Sequence, residues 1–263
     1  MSVRVAAGTK YLAGRPAADV IALARQQGAD GVELGPGHLD LAGQNLGGQF
    51  ASLAHLLEVD RLMLAGIALP DLSFTRDDEL AAAVSSLCEQ VGSAGRLGVR
   101  AVHLAAGDRK SFSMDALIRS LARLLPIAEA SRVRVHVANR LGSRIEQIED
   151  LRHLLAALKH PALCLRMDVG DLYAAAVNPR DVFAEFGEVV GSIFLSDRVG
   201  RQDVPLGTGR VNLKRLLADV AEAHYDGWLV VNLKPGGPGE SAGLSPVEYV
   251  RGLLSERTRG KGR

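Results

Sequence analysis

Cysteine, net charge and long apolar runs are all scarce in this chain of 263 residues. Its two cysteines, Cys88 and Cys164, are too few for a disulfide scaffold, and their scarcity suits a reducing compartment. The 31 lysines and arginines nearly balance the 30 aspartates and glutamates, so charge gives no reason to expect nucleic acid or an anionic membrane as a partner. No window reaches the ~18 apolar residues of a membrane span, and the N-terminus lacks the apolar stretch of a secretory signal. These absences predict a cytoplasmic protein.

Short apolar runs alternate with longer segments whose apolar residues recur at helical spacing. The short runs are continuous, as expected for strands of a parallel sheet that is covered on both faces. Strict alternation of strand and helix over about 250 residues is typical of an eight-stranded α/β barrel. We therefore predict the α/β class and a single (β/α)8 TIM barrel domain. The predicted strands cover residues 3–7, 30–35, 61–69, 100–106, 133–138, 162–167, 189–195 and 228–233, and the predicted helices cover 17–27, 49–58, 77–97, 114–130, 145–158, 179–185, 213–223 and 246–254.

The predicted barrel accounts for residues 1–256. The segment 257–263, RTRGKGR, is predicted to be a flexible basic tail because it is short and contains glycine. A doubly wound open sheet is the alternative arrangement of the same elements. The G-x-G-x-x-G sequence that binds dinucleotides in such folds does not follow the first strand, which weighs against that alternative.

In a barrel of this kind, ligands bind at the C-terminal ends of the strands and in the loops beyond them. The polar residues at those positions are therefore candidates for a binding site. Arginine and lysine side chains there would suit an anionic ligand, although each is equally compatible with a solvated loop charge. The candidate ligand-binding residues are Arg109, Asn139, Arg140, Asp197, Arg198, Asn232 and Lys234.

Five segments of the second half occur in one order and at one spacing that resemble the xylose isomerase-like barrel superfamily. They are VHVANR (135–140), LCLRMDVGDL (163–172), SIFLSD (192–197), VPLGTGRVNLKRLL (204–217) and YDGWLVVNL (225–233). In the first half, ALARQQGADGVELG (22–35) and LGVRAVHLAAGD (97–108) are similar to the same superfamily. That superfamily includes sugar isomerases and epimerases and the endonuclease IV type of AP endonuclease.

The resemblance implies a divalent-metal site built from four strand ends: a glutamate on the fifth strand, an aspartate on the sixth, a histidine on the seventh and a glutamate on the eighth. Carboxylates with an imidazole suit Mn²⁺, Mg²⁺, Zn²⁺ or Co²⁺. In this sequence those positions read Ala138, Asp168, Phe194 and Asn232. Asp168 is thus the only retained metal position, and the histidine that follows it in the family is Asp171.

These departures favour a metal-free or non-catalytic descendant of the sugar isomerases, which binds a small anionic or sugar-like ligand and has no cofactor. The alternative is an active isomerase or epimerase whose divalent metal is held by Asp168 with Glu33, His136 or Asp197; Asp168, Glu33 and His136 are then the candidate catalytic residues. A third possibility, a DNA-repair endonuclease of the AP type, fits poorly with the neutral net charge and the missing histidines.

Two further expectations concern the interior of the barrel. His136 lies two residues before Ala138 and so faces the same side of its strand, where a hydrogen-bonded interior histidine is expected in preference to a metal ligand. Without a metal, Asp168 and Asp197 need a cation nearby. We expect Arg140, Arg198 or Lys234 to pair with one of them.

Overall fold

The computed structural model describes residues 3–9, 12, 14–35, 37–39, 41–43, 45–72, 77–232 and 245–260. Within them, eight parallel strands close into a barrel in which neighbours along the chain are also neighbours in space. This confirms the predicted single (β/α)8 TIM barrel. The barrel strands are β1 (Arg4–Gly8), β2 (Gly31–Leu34), β3 (Met63–Ala68), β4 (Ala101–Ala105), β5 (Arg134–Ala138), β6 (Leu163–Asp168), β7 (Val190–Leu195) and β10 (Trp228–Asn232), and β10 pairs with β1 to close the ring.

Helices follow the strands in the predicted order and cover the outside of the barrel. They are α1 (Ala17–Gln26), α2 (Leu46–Val59), α3 (Asp77–Arg96), α4 (Met114–Ala130), α5 (Ile148–Ala157), α6 (Val169–Ala174), α7 (Pro179–Phe186), α8 (Leu213–Glu222) and α9 (Pro246–Gly260). In α4 the fully buried leucines Leu117, Leu121, Leu124 and Leu125 recur at helical spacing and face the strands. Helix α9 extends to Gly260, four residues into the segment for which we expected no regular structure.

Two short elements were not predicted from the sequence, and both follow strand ends. Helix α6 begins directly after β6 because the carboxylate of Asp168 accepts hydrogen bonds from the amides of Gly170 and Asp171. A two-stranded antiparallel hairpin of β8 (Asp197–Val199) and β9 (Gln202–Val204) follows β7. Asn212 caps α8, as its position predicts, by accepting a hydrogen bond from the amide of Arg215.

Part of the barrel interior is apolar. Its side chains form a cluster separate from the main core between strands and helices, made of Ala6, Ala65, Phe194, Trp228 and Val230. Gly31 gives the Trp228 ring its space, because a Cβ there would lie 2.8 Å from the indole and 2.5 Å from the carbonyl oxygen of Met63. These side chains therefore fill part of the barrel interior.

No helix in the described part of the chain is long and apolar enough to cross a membrane.

Candidate functional site

A cavity of about 340 Å³ lies at the C-terminal ends of the barrel strands. This volume is at the small end of the range for small-molecule sites, about 300–1,000 Å³. Ala138, Asp168 and Phe194 line it, so three of the four positions of the implied metal site meet there as predicted. The fourth, Asn232, ends β10 beside Gly8 of β1, and its Oδ1 is buried without a hydrogen-bond partner among the described residues.

An ion pair between Arg166 and Glu33 lies in this cavity. The guanidinium Nη2 donates to Glu33 Oε1 at 2.8 Å, and Nη1 donates to Oε2, so the contact is bidentate. Both residues are only 7% exposed. Arg166 is on β6 and Glu33 on β2, which are opposite strands in the ring of eight, so the pair spans the barrel lumen.

Two further side chains contact this ion pair, one at each of its members. The Arg166 Cζ lies 4.7 Å from the centroid of the Phe194 ring, a cation–π distance. His103 Nδ1 lies 3.5 Å from Glu33 Oε2. The pKa of His103 is lowered well below its ordinary value by burial and by the charges of Arg166 and Arg140, so His103 is neutral at pH 7. Arg166 was not predicted as a site residue, although it lies two residues before Asp168 and therefore on the same side of β6.

Asp168, the retained metal position, caps α6. Its Oδ1 accepts from the amides of Gly170 and Asp171, both at 3.1 Å, and from Ser196 Oγ at 2.5 Å. Asn139 fixes the backbone at this point, because its amide nitrogen donates to Asp168 O at 3.0 Å and its oxygen accepts from Asp168 N at 2.9 Å. All the hydrogen bonds that the described residues donate to the Asp168 carboxylate fall on Oδ1.

Burial, together with the negative charge of Asp171, raises the pKa of Asp168 to about 6. The hydrogen bonds from Ser196 and the Asp171 amide act in the opposite direction, as does the positive charge of Arg166, but they do not cancel the effect of burial. Asp168 therefore carries most of its charge at pH 7 and loses it a little below that pH.

Asp197 organises the glycine loop after β9 and does not line the cavity. Its Oδ2 accepts from the amides of Gly207 and Gly209, both at 2.9 Å, and its Oδ1 accepts from Arg198 N at 2.9 Å and Val211 N at 3.1 Å. The loop closes tightly on the carboxylate, because a Cβ on Gly209 would lie 2.0 Å from Asp197 Oδ1. Asp197 is buried, with 3% of its surface exposed, and the hydrogen bonds to its carboxylate hold the loop in place.

The arginines that we expected to pair with Asp168 or Asp197 form ion pairs with other carboxylates. Arg140 lines the cavity and bonds Asp71, while Arg198 bonds Asp171 and lies 3.2 Å from Asp203. Neither guanidinium pairs with Asp168 or Asp197, contrary to our expectation, and Lys234 lies outside the described residues. Arg109 lies outside the cavity lining and pairs with Asp150 and Glu146 at the start of α5.

His136 lies deeper than the cavity and is 5% exposed. Its Nδ1 is 3.1 Å from Ser192 Oγ on β7. Burial, and after it the proximity of His103, lowers the pKa of His136 to about 3, so the ring is neutral. The structure thus places His136 as the hydrogen-bonded interior histidine that its position in β5 predicts.

The divalent metal that the resemblance implies does not fit these residues. Ala138 and Phe194 offer no donor atom, and Asn232 offers a neutral amide in place of a carboxylate. The alternative ligands are engaged: Glu33 by Arg166, His136 by Ser192 and Asp197 by loop amides. Among the described residues there is no group of three or more His, Cys, Asp and Glu side chains placed to hold a metal ion.

Known proteins with the same barrel fold resemble this chain in structure, although their sequences are only distantly similar. Inosose dehydratase of Clostridium botulinum is 20% identical over 156 residues, 52% of this chain and 51% of that protein, so the chain spans about half the length of the curated relative it matches. A D-tagatose 3-epimerase-like protein superposes over 97% of this chain and all of its own with a TM-score of 0.78 at 15% identity. A xylose isomerase-like TIM barrel protein from Mycobacterium smegmatis, in complex with magnesium, superposes over 97% of each chain with a TM-score of 0.74 at 15% identity.

One protein family matches this chain in sequence over most of its length. Residues 21–249 match the family described as xylose isomerase-like TIM barrel. The matched range runs from α1 into α9 and includes every residue of the cavity except Thr9. The chain therefore belongs to the xylose isomerase-like TIM barrel family.

Proposed function

We propose that this protein binds a small, hydroxyl-rich, sugar-like molecule in the cavity, without a divalent metal and without metal-dependent isomerisation. The observation that carries the proposal is the state of the charged groups around the cavity. Glu33 pairs with Arg166, Asp71 with Arg140, and Asp171 with Arg198. Three of the four carboxylates that line the cavity are thus neutralised by protein side chains, and Asp168 is the one for which the described residues provide no ion pair.

The balance of charge favours a neutral ligand over an anionic one. Four carboxylates line the cavity, those of Glu33, Asp71, Asp168 and Asp171. The guanidiniums of Arg166, Arg140 and Arg198 pair with three of them, so Asp168 remains as an excess of one negative charge. A phosphate or carboxylate would meet this excess of negative charge at short range. Sugar hydroxyls can instead donate to the carboxylates, and the CH faces of a sugar can pack on the apolar wall that includes Phe194 and Leu69.

The two other functions considered from the sequence gain less support from this geometry. An active isomerase with a rearranged metal site would have to release Glu33 from Arg166 or His136 from its place below the cavity. A DNA-repair endonuclease would have to bring a phosphodiester against the lining carboxylates, which would repel it.

A binding assay with matched ligands tests the proposal. Isothermal titration would compare a neutral ketohexose and a cyclic keto-polyol, the kinds of compound that the names of the relatives suggest, with a phosphate ester of the same sugar. We expect a neutral compound to bind in the presence of EDTA and the phosphate ester to bind at least about tenfold more weakly. Binding only after addition of Mn²⁺, or tighter binding of the phosphate ester, would contradict the proposal.

A further inference from the structure

We infer that the Arg166 guanidinium, held by Glu33 and Phe194, is the resident cation of this cavity and excludes divalent metal ions from it. The inference rests on the proposed metal-free function and goes beyond it by assigning a residue and a cause. Lack of ligands explains only why a metal would bind weakly. The Arg166 guanidinium explains why Glu33 cannot supply the missing ligand, because it cancels the charge of that carboxylate and occupies both of its oxygens.

The strand register brings the altered positions next to Arg166. Ala138 on β5 is the register partner of Arg166 on β6, and Phe194 on β7 is the register partner of Asp168. The Phe194 ring lies against the guanidinium. Two of the positions at which a metal ligand is missing, Ala138 and Phe194, therefore lie on the strands that flank Arg166.

The contacts of Arg166 fix its charge in place. A guanidinium is a permanent positive charge in proteins, and the bidentate contact with Glu33 fixes the orientation of the Arg166 side chain. Glu33 is consequently unavailable as a ligand as long as Arg166 is present. Arg166 thus acts in two ways through Glu33, because it cancels the charge of that carboxylate and occupies the oxygens that could bind a metal ion.

Removing the guanidinium should therefore create metal binding. In Arg166→Met, Glu33 loses its partner, His103 Nδ1 lies beside it, and Asp168 lines the same cavity. We expect the affinity for Mn²⁺ alone, measured by isothermal titration and by the rise in melting temperature, to increase at least about tenfold over the wild type. Arg109→Met is the matched control, since Arg109 forms a similar pair with Asp150 outside the cavity, and it should show no gain.

Arg166→Gln covers the case in which Arg166→Met does not fold. The amide of glutamine can donate a hydrogen bond to Glu33, so the buried carboxylate keeps a partner while the positive charge is removed. This variant should also gain affinity for Mn²⁺. Equal and undetectable Mn²⁺ binding by the wild type and by whichever of these variants folds would overturn the inference, as would stoichiometric Mn²⁺ binding by the wild type.

These results are separable from the test of the proposed function. If no neutral sugar or polyol binds but Arg166→Met gains Mn²⁺, the inference stands and the proposed ligand is wrong. If a sugar binds in EDTA but the folded variants gain no Mn²⁺, the metal-free function stands and Arg166 is not what excludes the metal.

Discussion

The barrel lumen has two layers, and in each an arginine lies over an aromatic ring. In the lower layer the Arg4 Cζ is 4.5 Å from the centroid of the Trp228 ring, and the Arg4 side chain is exposed and donates to Asp226 O. In the upper layer Arg166 lies 4.7 Å from the centroid of Phe194, is buried, and pairs with Glu33 across the lumen. The two contacts have similar geometry, but only the upper one has the charge of its arginine enclosed.

This difference determines what each arginine does. Arg4 covers the apolar lower layer and keeps its charge in water, so its contribution to the site is small. Arg166 faces a cavity where water screens its charge less, so it affects whatever enters. Burial of the charge, and not the aromatic contact itself, separates a residue of the site from one that covers the core.

The largest effect should follow from breaking the upper pair. We expect Arg166→Met to lower the free energy of unfolding by about 3–5 kcal/mol, because Glu33 is left buried with an uncompensated charge. Urea unfolding measures this loss. Arg166→Met combined with Glu33→Gln should recover a large part of it, and a single variant as stable as the wild type would contradict the enclosed ion pair.

Asp197→Asn should have the next largest effect. Four backbone amides donate to the Asp197 carboxylate. An amide side chain has one acceptor oxygen and would turn an NH₂ group toward these donors, so we expect a loss of about 2–3 kcal/mol in urea unfolding. Asp203→Asn, at the exposed carboxylate of an ion pair in the same hairpin, should change stability by no more than about 1 kcal/mol. Similar losses in the two variants would show that Asp197 does not hold the glycine loop.

A smaller effect is expected from the titration of Asp168. Its pKa is about 6 in the folded protein against an ordinary value of 3.8. The folded state therefore binds this proton more tightly than the unfolded state, and the contribution of Asp168 to stability increases as the pH falls from 7 to 5, by about 1 kcal/mol. Comparing wild type with Asp168→Asn at each pH isolates this group, since the other titrating groups are common to both. A stability difference that does not change with pH would show that the Asp168 pKa is not raised.

Arg4→Met should have the smallest effect. An exposed cation–π contact is worth about 0.5–1 kcal/mol, and the methionine side chain still covers part of Trp228. Urea unfolding alongside Arg166→Met compares the two layers directly. Equal losses from the two substitutions would show that burial of the charge is not what distinguishes them.

The sequence was sufficient for the architecture because the barrel depends on a pattern that is repeated along the whole chain. Each strand is a short apolar run, and the order of strand ends around the ring follows from their order in the chain. For the same reason the sequence correctly placed Ala138, Asp168 and Phe194 around one cavity.

The contents of the cavity were harder to predict, because the decisive contact joins residues 133 positions apart. Arg166 lies within an apolar run, where its alternation with Asp168 was the one available signal, and nothing local connects it to Glu33. The role of Asp197 was missed for a different reason. The path of the loop from Val204 to Val211 decides which amides surround its carboxylate, and only the glycines at positions 207 and 209 indicate a close approach.

The metal content of the wild-type protein tests the central claim most directly. The protein would be expressed in medium supplemented with Mn²⁺ and Zn²⁺, purified without chelator and examined by elemental analysis, with Asp168→Ala in parallel. The enclosed Arg166 predicts far less than one divalent ion per chain in both proteins. Close to one ion per chain in the wild type, lost in Asp168→Ala, would contradict the account and show that a divalent metal binds beside Asp168 despite Arg166.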